Sequence, residues 1–116
     1  CASTGGGTFS AAYPNELSQN ECRQMVAYLA KNKIGVLLEA GLPEGTQFAH
    51  KHGWVTDTAD GVIHIMQDAG IVYTPGGNFV ITVYLYHPVQ VVFDPVNIMY
   101  AQISRAIYNY FNLPTS

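Results

Sequence analysis

Phe48-Ala49-His50-Lys51-His52-Gly53-Trp54-Val55 is the stretch whose reading decides the fold. It is an extended, partly apolar run with a lysine set between two histidines, followed at once by a glycine and the chain's only tryptophan. Lysine is scarce, with only Lys31, Lys33 and Lys51 available. A lysine inside a strand-like segment, away from any solvated helix face, has two readings. It can be an edge-strand charge that discourages aggregation. It can also be a cation aimed into a cleft, where it holds an anion or tunes a neighbour's proton affinity.

Downstream, the polar turn Thr56-Asp57-Thr58-Ala59-Asp60-Gly61 leads to a second strand from about Val62 to Tyr73. Thr74-Pro75-Gly76-Gly77-Asn78 is a strong turn signal. The third strand, Phe79–Tyr86, sends Phe79, Ile81, Val83 and Leu85 one way and Val80, Thr82, Tyr84 and Tyr86 the other. Both sets are bulky and largely apolar, so this strand is expected to be covered on both faces and interior to a sheet. Asp94-Pro95 reads as the cap and first position of a last helix. Its apolar stripe of Val96, Met99, Tyr100, Ile103, Ile107, Tyr110 and Phe111 runs until Pro114 ends it.

Upstream, residues 1–16 are rich in Gly, Ser, Thr and Ala and read as loop or linker. Ser18 with Glu21 three positions on is a reciprocal capping box, and Leu17 with Cys22 occupy the two places of a hydrophobic staple. Cys22, Met25, Val26 and Leu29 then repeat at helical spacing to about Lys31. A short helical piece, Ile34–Ala40, stops at Gly41 with Pro43 beyond. The fold class is therefore α+β: a three-stranded antiparallel meander flanked by N-terminal and C-terminal helices. An interior third strand requires a fourth beside it, and this chain offers no good candidate. A strand from another polypeptide, or from another part of the same protein, is the expected supply, with a homodimer through the exposed strand edge as a further route.

The totals narrow the class. A chain of 116 residues is one domain, or part of a larger one, and can bury roughly two-thirds of its unfolded surface. At 48% hydrophobic and 11% charged it is far from disordered composition and poor in surface charge. A net charge of −3 with five basic residues argues against nucleic acid as a partner. No apolar run approaches the ~18 residues of a membrane span. Cys1 and Cys22 leave their pairing open, although the place of Cys22 on a helix face favours a buried thiol. Cys1-Ala2-Ser3-Thr4 followed by three glycines resembles the mature start of a bacterial lipoprotein, or equally a cut end within a longer protein, and the second reading is preferred.

The order of these signals resembles the C-terminal part of the class A β-lactamases and penicillin-binding-type serine hydrolases, from about Leu17 onward. The resemblance rests on the capped helix and Ala40-Gly41-Leu42-Pro43-Glu44-Gly45 leading into the strand. It rests also on Lys51-His52-Gly53 where the family has Lys-Thr-Gly or Lys-Ser-Gly, then Asp68-Ala69-Gly70-Ile71-Val72-Tyr73 and the Pro75-Gly76-Gly77 turn. It implies a partial domain over 1–116 whose sheet is completed by strands from the other end of a longer chain. It implies an acyl-enzyme mechanism on a serine followed three residues later by a lysine. None of Ser3, Ser10, Ser18, Ser104 and Ser116 has such a lysine, so this segment alone is expected to be inactive. By the same resemblance Lys51 assists proton movement and attracts the substrate carboxylate, and the Trp54 backbone N–H joins the oxyanion hole. His52 and Gly53 lie against a β-lactam or peptide-like substrate. No cofactor is implied, and the location is outside the cytoplasm, whether secreted, periplasmic or lipid-anchored. His52 departs from the pattern, because an imidazole stands where the family has a hydroxyl. Ser18-Gln19-Asn20 and the Glu16/Asn20 pair have the form of two other family motifs, but they overlap the helix cap.

Two rival readings accompany this one. His50, His52 and His64 with Asp57, Asp60 or Asp68 form the ingredients of a zinc-like site. A non-catalytic ligand-binding or structural relative that keeps the fold and has lost the chemistry is the other, supported by His52. Asp68 is expected to be a structural carboxylate on the inner strand.

Overall fold

The computed structural model describes residues 18–114. The elements are helix α1 (Gln19–Ala30), a 3-10 turn (Leu37–Gly41), strands β1 (Gln47–Thr56), β2 (Ile63–Tyr73) and β3 (Phe79–Tyr86), and helix α2 (Phe93–Phe111). The strands form one antiparallel sheet in the order β1-β2-β3. This is the expected α+β meander with a helix on either side of it in sequence.

Helix α1 starts as the capping box requires. The Glu21 N–H donates to Ser18 Oγ at 3.1 Å and the Ser18 N–H donates to Glu21 Oε2 at 2.7 Å, so two orphan donors of the first turn are satisfied. Its buried residues are Cys22 and Val26, and it packs on β1. Met25, expected on the buried face, is 49% exposed. Cys22 is fully buried and disulfide-bonded, which corrects the expectation of a thiol. Leu17 of the expected staple, Cys1 and the 1–16 loop lie outside the described residues.

The short helical piece begins later than expected. Gly35 (φ 66°) and Leu37 (φ 58°) both take left-handed backbone, which no α-helix accommodates, so only a 3-10 turn from Leu37 forms. Leu37 is held in that conformation by full burial and by its N–H donating to Asn97 Oδ1 at 2.5 Å.

Helix α2 begins one residue before Asp94, on Val92 as the cap, without a side-chain cap bond. Asp94 and Pro95 therefore sit within the first turn. The backbone donors there have no helical partner, so the missing proline N–H costs nothing. Tyr100 and Ser104 form the buried centre of the helix, with Val96, Ile103, Ile107 and Tyr108 half-buried beside them. Tyr110 points out at 71% exposure, against the expectation.

Register puts Phe48, His50, His52 and Trp54 of β1 on the same face as Val72, Gly70, Asp68 and Met66 of β2 and Phe79, Ile81, Val83 and Leu85 of β3. That face carries the core, in which Phe48, Met66, Val72, Phe79 and Ile81 pack with Leu37, Leu38, Leu42, Val91 and Tyr100. The Tyr100 hydroxyl donates to the Met66 carbonyl at 2.7 Å, and the Ser104 hydroxyl donates to the Leu38 carbonyl at 2.6 Å. The opposite face of β3 is open: Val80, Tyr84 and Tyr86 are each more than 60% exposed. Among the described residues β3 is thus an edge strand covered on one face only. The neighbour and second cover expected for this strand are to come from outside this chain, and nothing among the described residues lies against that face or edge.

Candidate functional site

The alternation of β1 assigns its backbone groups as well as its side chains. In an antiparallel ladder the N–H and C=O of one residue point to the same side, and successive residues alternate. The His50 carbonyl accepts from Asn32 Nδ2 at 3.2 Å and the His52 carbonyl accepts from Lys51 Nζ at 2.7 Å. Both carbonyls therefore face away from β2. By the same parity the Trp54 N–H lies on that outer edge, roughly 7 Å along the strand from His52 at ~3.3 Å per residue. β1 is the other edge strand of the sheet, so this row of groups is a strand margin with an ammonium folded onto it.

Lys51 is exposed and lies on the face opposite the core. It does not line the neighbouring concavity, and the expectation of a lysine aimed into a cleft is not met within the described residues. That concavity, of about 500 Å³, starts two residues later and is lined by Gly53, Trp54, Val55, Asp57, His64 and Tyr84 among others. Gly53 faces Gln67 across the ladder, where a β-carbon would meet the Gln67 amide nitrogen at 3.2 Å. Trp54 is 41% exposed, with its ring centroid 5.2 Å from His52 and 6.1 Å from Phe93.

Behind the edge lies a polar cluster that joins His50 and the expected structural carboxylate Asp68 to Asn32 and Glu39, which the sequence did not announce. His50 is fully buried, stacked 4.1 Å from Phe48. Its Nδ1 is 3.1 Å from Asp68 Oδ1 and its Nε2 is 3.0 Å from the Asn32 carbonyl, with Glu39 Oε2 at 3.5 Å. Both ring nitrogens therefore face oxygen atoms of neighbouring residues. Asp68, also fully buried, accepts from the Leu38 N–H at 3.2 Å through its other oxygen. Glu39 Oε2 accepts from the N–H groups of Ile34 and Gly35. Asp68 is thus a structural carboxylate, tying β2 to β1 and to the 3-10 turn. Asn32 was missed because an asparagine between two lysines reads as ordinary loop.

His52 is half-buried and its Nδ1 lies 3.3 Å from Asn32 Nδ2. Its proton affinity is lowered, first by desolvation and then by the Lys51 ammonium, with His50 adding to the effect and Asp68 and Glu39 opposing it. His64 is shifted the other way. Its Nε2 meets Asp60 Oδ2 at 2.5 Å and its Nδ1 faces the His87 carbonyl at 2.9 Å, and both raise its proton affinity.

The metal reading fails on placement. His50 is committed to Asp68 and Asn32, whereas His64 sits at the β1–β2 turn, where the register shifts between Val55 and Thr56. Ladder positions separate His64 from Gly70, the partner of His50, by six residues or roughly 20 Å. Among the described residues the group with metal-ligand spacing is Asp57, Asp60 and His64, which omits His50, His52 and Asp68. Its side chains are spent on the turn: Asp57 accepts from the Ala59 N–H, Asp60 from the Val62 N–H and from His64.

Comparison with known proteins follows from this geometry. The sequence pattern described as the beta-lactamase enzyme family (Beta-lactamase2) matches residues 8–111. The TLA-3 extended-spectrum beta-lactamase is similar in structure, with a TM-score of 0.71 at 28% identity over 91% of this chain and 39% of its own. A beta-lactamase from Chitinophaga pinensis gives a TM-score of 0.70 at 26% identity, over 87% of this chain and 37% of its own. PBP-A shares the fold, with a TM-score of 0.67 at 24% identity over 90% of this chain and 36% of its own. No curated protein sequence matches. The chain spans little more than a third of the length of these solved structures.

Proposed function

The chain belongs to the beta-lactamase enzyme family, and from that premise we propose that it is the C-terminal segment of a serine hydrolase that opens β-lactams or related amides and esters through an acyl-enzyme. The nucleophile is supplied by a part of the protein outside these 116 residues, since no serine here is followed three positions on by lysine. The same missing part supplies the strand that β3 lacks. The observation that carries this reading is the margin of β1, an edge strand among the described residues, which sets a cation and the outward-facing Trp54 N–H on one edge of a family-matched strand.

In that role the Lys51 ammonium draws the anionic substrate and assists proton transfer during acylation. The Trp54 N–H stabilises the oxyanion of the tetrahedral intermediate, and only its main chain is needed for this. Gly53 keeps the strand surface low between them, and His52 contacts the anionic end of the substrate. Such enzymes act outside the cytoplasm, an assignment in keeping with a disulfide at Cys22.

Replacing Lys51 by Ala in the complete protein is expected to lower the acylation rate by roughly 10²–10³, the scale of one electrostatic transition-state contact. An unchanged rate removes Lys51 from the mechanism. A fluorescent penicillin should label the complete protein and leave the isolated 116-residue chain dark. The alternative, a ligand-binding relative without catalysis, draws on the histidine at position 52. It predicts saturable penicillin binding with no covalent label.

A further inference from the structure

Asn32 makes more contacts with β1 than its loop position suggests. Its side-chain Nδ2 lies 3.2 Å from the His50 carbonyl and 3.3 Å from His52 Nδ1, while its backbone carbonyl lies 3.0 Å from His50 Nε2. The amide cannot be turned over. A carbonyl oxygen in place of Nδ2 would face the His50 carbonyl with no proton between them. Asn32 therefore presents N–H to both groups, one proton each, and the atom of His52 that receives the second must carry a lone pair. His52 Nδ1 is thus unprotonated, and the single ring proton of the neutral imidazole is on Nε2. That nitrogen has no hydrogen-bond partner among the described residues and is not a buried, unpaired atom.

We propose that Asn32 is a positioning residue that fixes His52 as its Nε2–H tautomer, making position 52 a hydrogen-bond donor with no capacity to accept. A hydroxyl at this position would both donate and accept, and so would tolerate either kind of ligand group. An imidazole locked in this way admits a carboxylate or carbonyl oxygen and turns away an amide or ammonium donor. It also stays neutral, because a proton on Nδ1 would point at the Asn32 amide hydrogen. The surrounding charges act with the lock: Lys51 and His50 from the same strand oppose protonation, while Asp68 from β2 and Glu39 from the 3-10 turn favour it and are outweighed. The consequence for ligand choice rests on the hydrolase reading above. The tautomer itself does not.

The test begins with the unaltered complete protein. Long-range proton–nitrogen correlation spectra of its histidine rings, recorded without substrate from about pH 8 down to about pH 6, report which nitrogen carries the proton. The expected result is a neutral His52 with a bare Nδ1 and a protonated Nε2 through neutral pH. An Nδ1–H tautomer, or an imidazolium at pH 7, overturns the proposal whatever the protein's activity. The second arm is Asn32→Asp, which replaces the donor beside Nδ1 by an acceptor. In this variant Nδ1 gains a proton, and KM for penicillin G falls about tenfold between pH 8 and pH 6 with kcat little changed, as a neutral hydrogen bond becomes charge-assisted. The unaltered protein shows a flat KM over the same range. If the ring changes state and KM stays flat, donation by His52 to the ligand is refuted. Absence of any penicillin turnover counts against the hydrolase reading alone, since the ring spectra decide the tautomer independently.

Discussion

His52 and His64 lie on one sheet and are pushed to opposite sides of the ordinary histidine value. His52 is desolvated beside the Lys51 ammonium, so its folded state resists a proton. His64 faces the Asp60 carboxylate and the His87 carbonyl, so its folded state welcomes one. The signs follow by linkage. The His64–Asp60 contribution to stability is fully present below the ordinary histidine value and is lost as pH rises through the raised folded value. The cost of leaving His52 neutral appears as pH falls below the ordinary value and grows until the lowered folded value is reached. A histidine-resolved titration by NMR should therefore show His64 titrating above His52, with Asp60→Asn moving the His64 midpoint down and leaving that of His52 in place. Coincident midpoints would contradict both environments. At this scale the sequence was legible where a motif existed and silent elsewhere. Lys51, His52, Gly53 and Trp54 could be singled out as candidates only through the ordered set of signals around them, since Lys-x-Gly alone carries none. Asn32 could not, since its importance arises from α1 ending opposite His50 and not from any neighbour in sequence.

Among the elements, the β1–β2 pair depends on one small residue. Gly70 stands opposite His50 in the ladder, and a β-carbon on it would come within 2.4 Å of the Ala49 carbonyl and 2.5 Å of His50 Cβ. Two of those atoms are backbone or the root of a buried side chain, so neither can swing aside. Gly70→Ala should then destabilise the fold by about 1–3 kcal/mol or more, the range for overpacking a well-filled site. The loss should be read as a lower urea midpoint with unchanged slope. It should also loosen the His50–Asp68 pair, visible as a shifted His50 ring signal. An alanine variant as stable as the parent would mean that β1 and β2 are not in this register. The meander, both turns and the capping box were legible from short-range pattern, because their signals are local. The limits of the 3-10 turn and of α2 were not. A leucine at φ 58° and a helix capped by a valine are set by tertiary contacts, here Asn97 and the core around Leu37, which no local rule contains.

At the scale of the molecule, the described residues leave apolar side chains open on the outer face of the sheet. The chain is 11% charged, yet Val80, Tyr84 and Tyr86 on β3, Val55 on β1 and Ile65 on β2 face outward from the sheet. Tyr73 carries a buried hydroxyl with no hydrogen-bond partner among the described residues, and burial raises its proton affinity. A strand edge that keeps its backbone donors and acceptors unpaired invites pairing, and an aromatic face beside it adds apolar area to the gain. The bulk of β3 was read from sequence as evidence of cover on both sides. Within the described residues that cover is absent, and the divided sheet proposed above would account for the difference, since residue choice would then reflect the complete protein. Hydrogen exchange separates the alternatives. In the 116-residue chain expressed alone, the β3 amides that point away from β2 should exchange at rates close to those of an unpaired chain, while their inward neighbours are protected. In the complete protein both sets should be protected to the level of β2, because a further strand now accepts their hydrogen bonds. Equal and strong protection of all β3 amides in the isolated chain, at concentrations where it sediments as a monomer, would show that β3 needs no neighbour. The chain would then be a domain in its own right. The same protection accompanied by a dimer would assign the missing strand to a second copy of this chain.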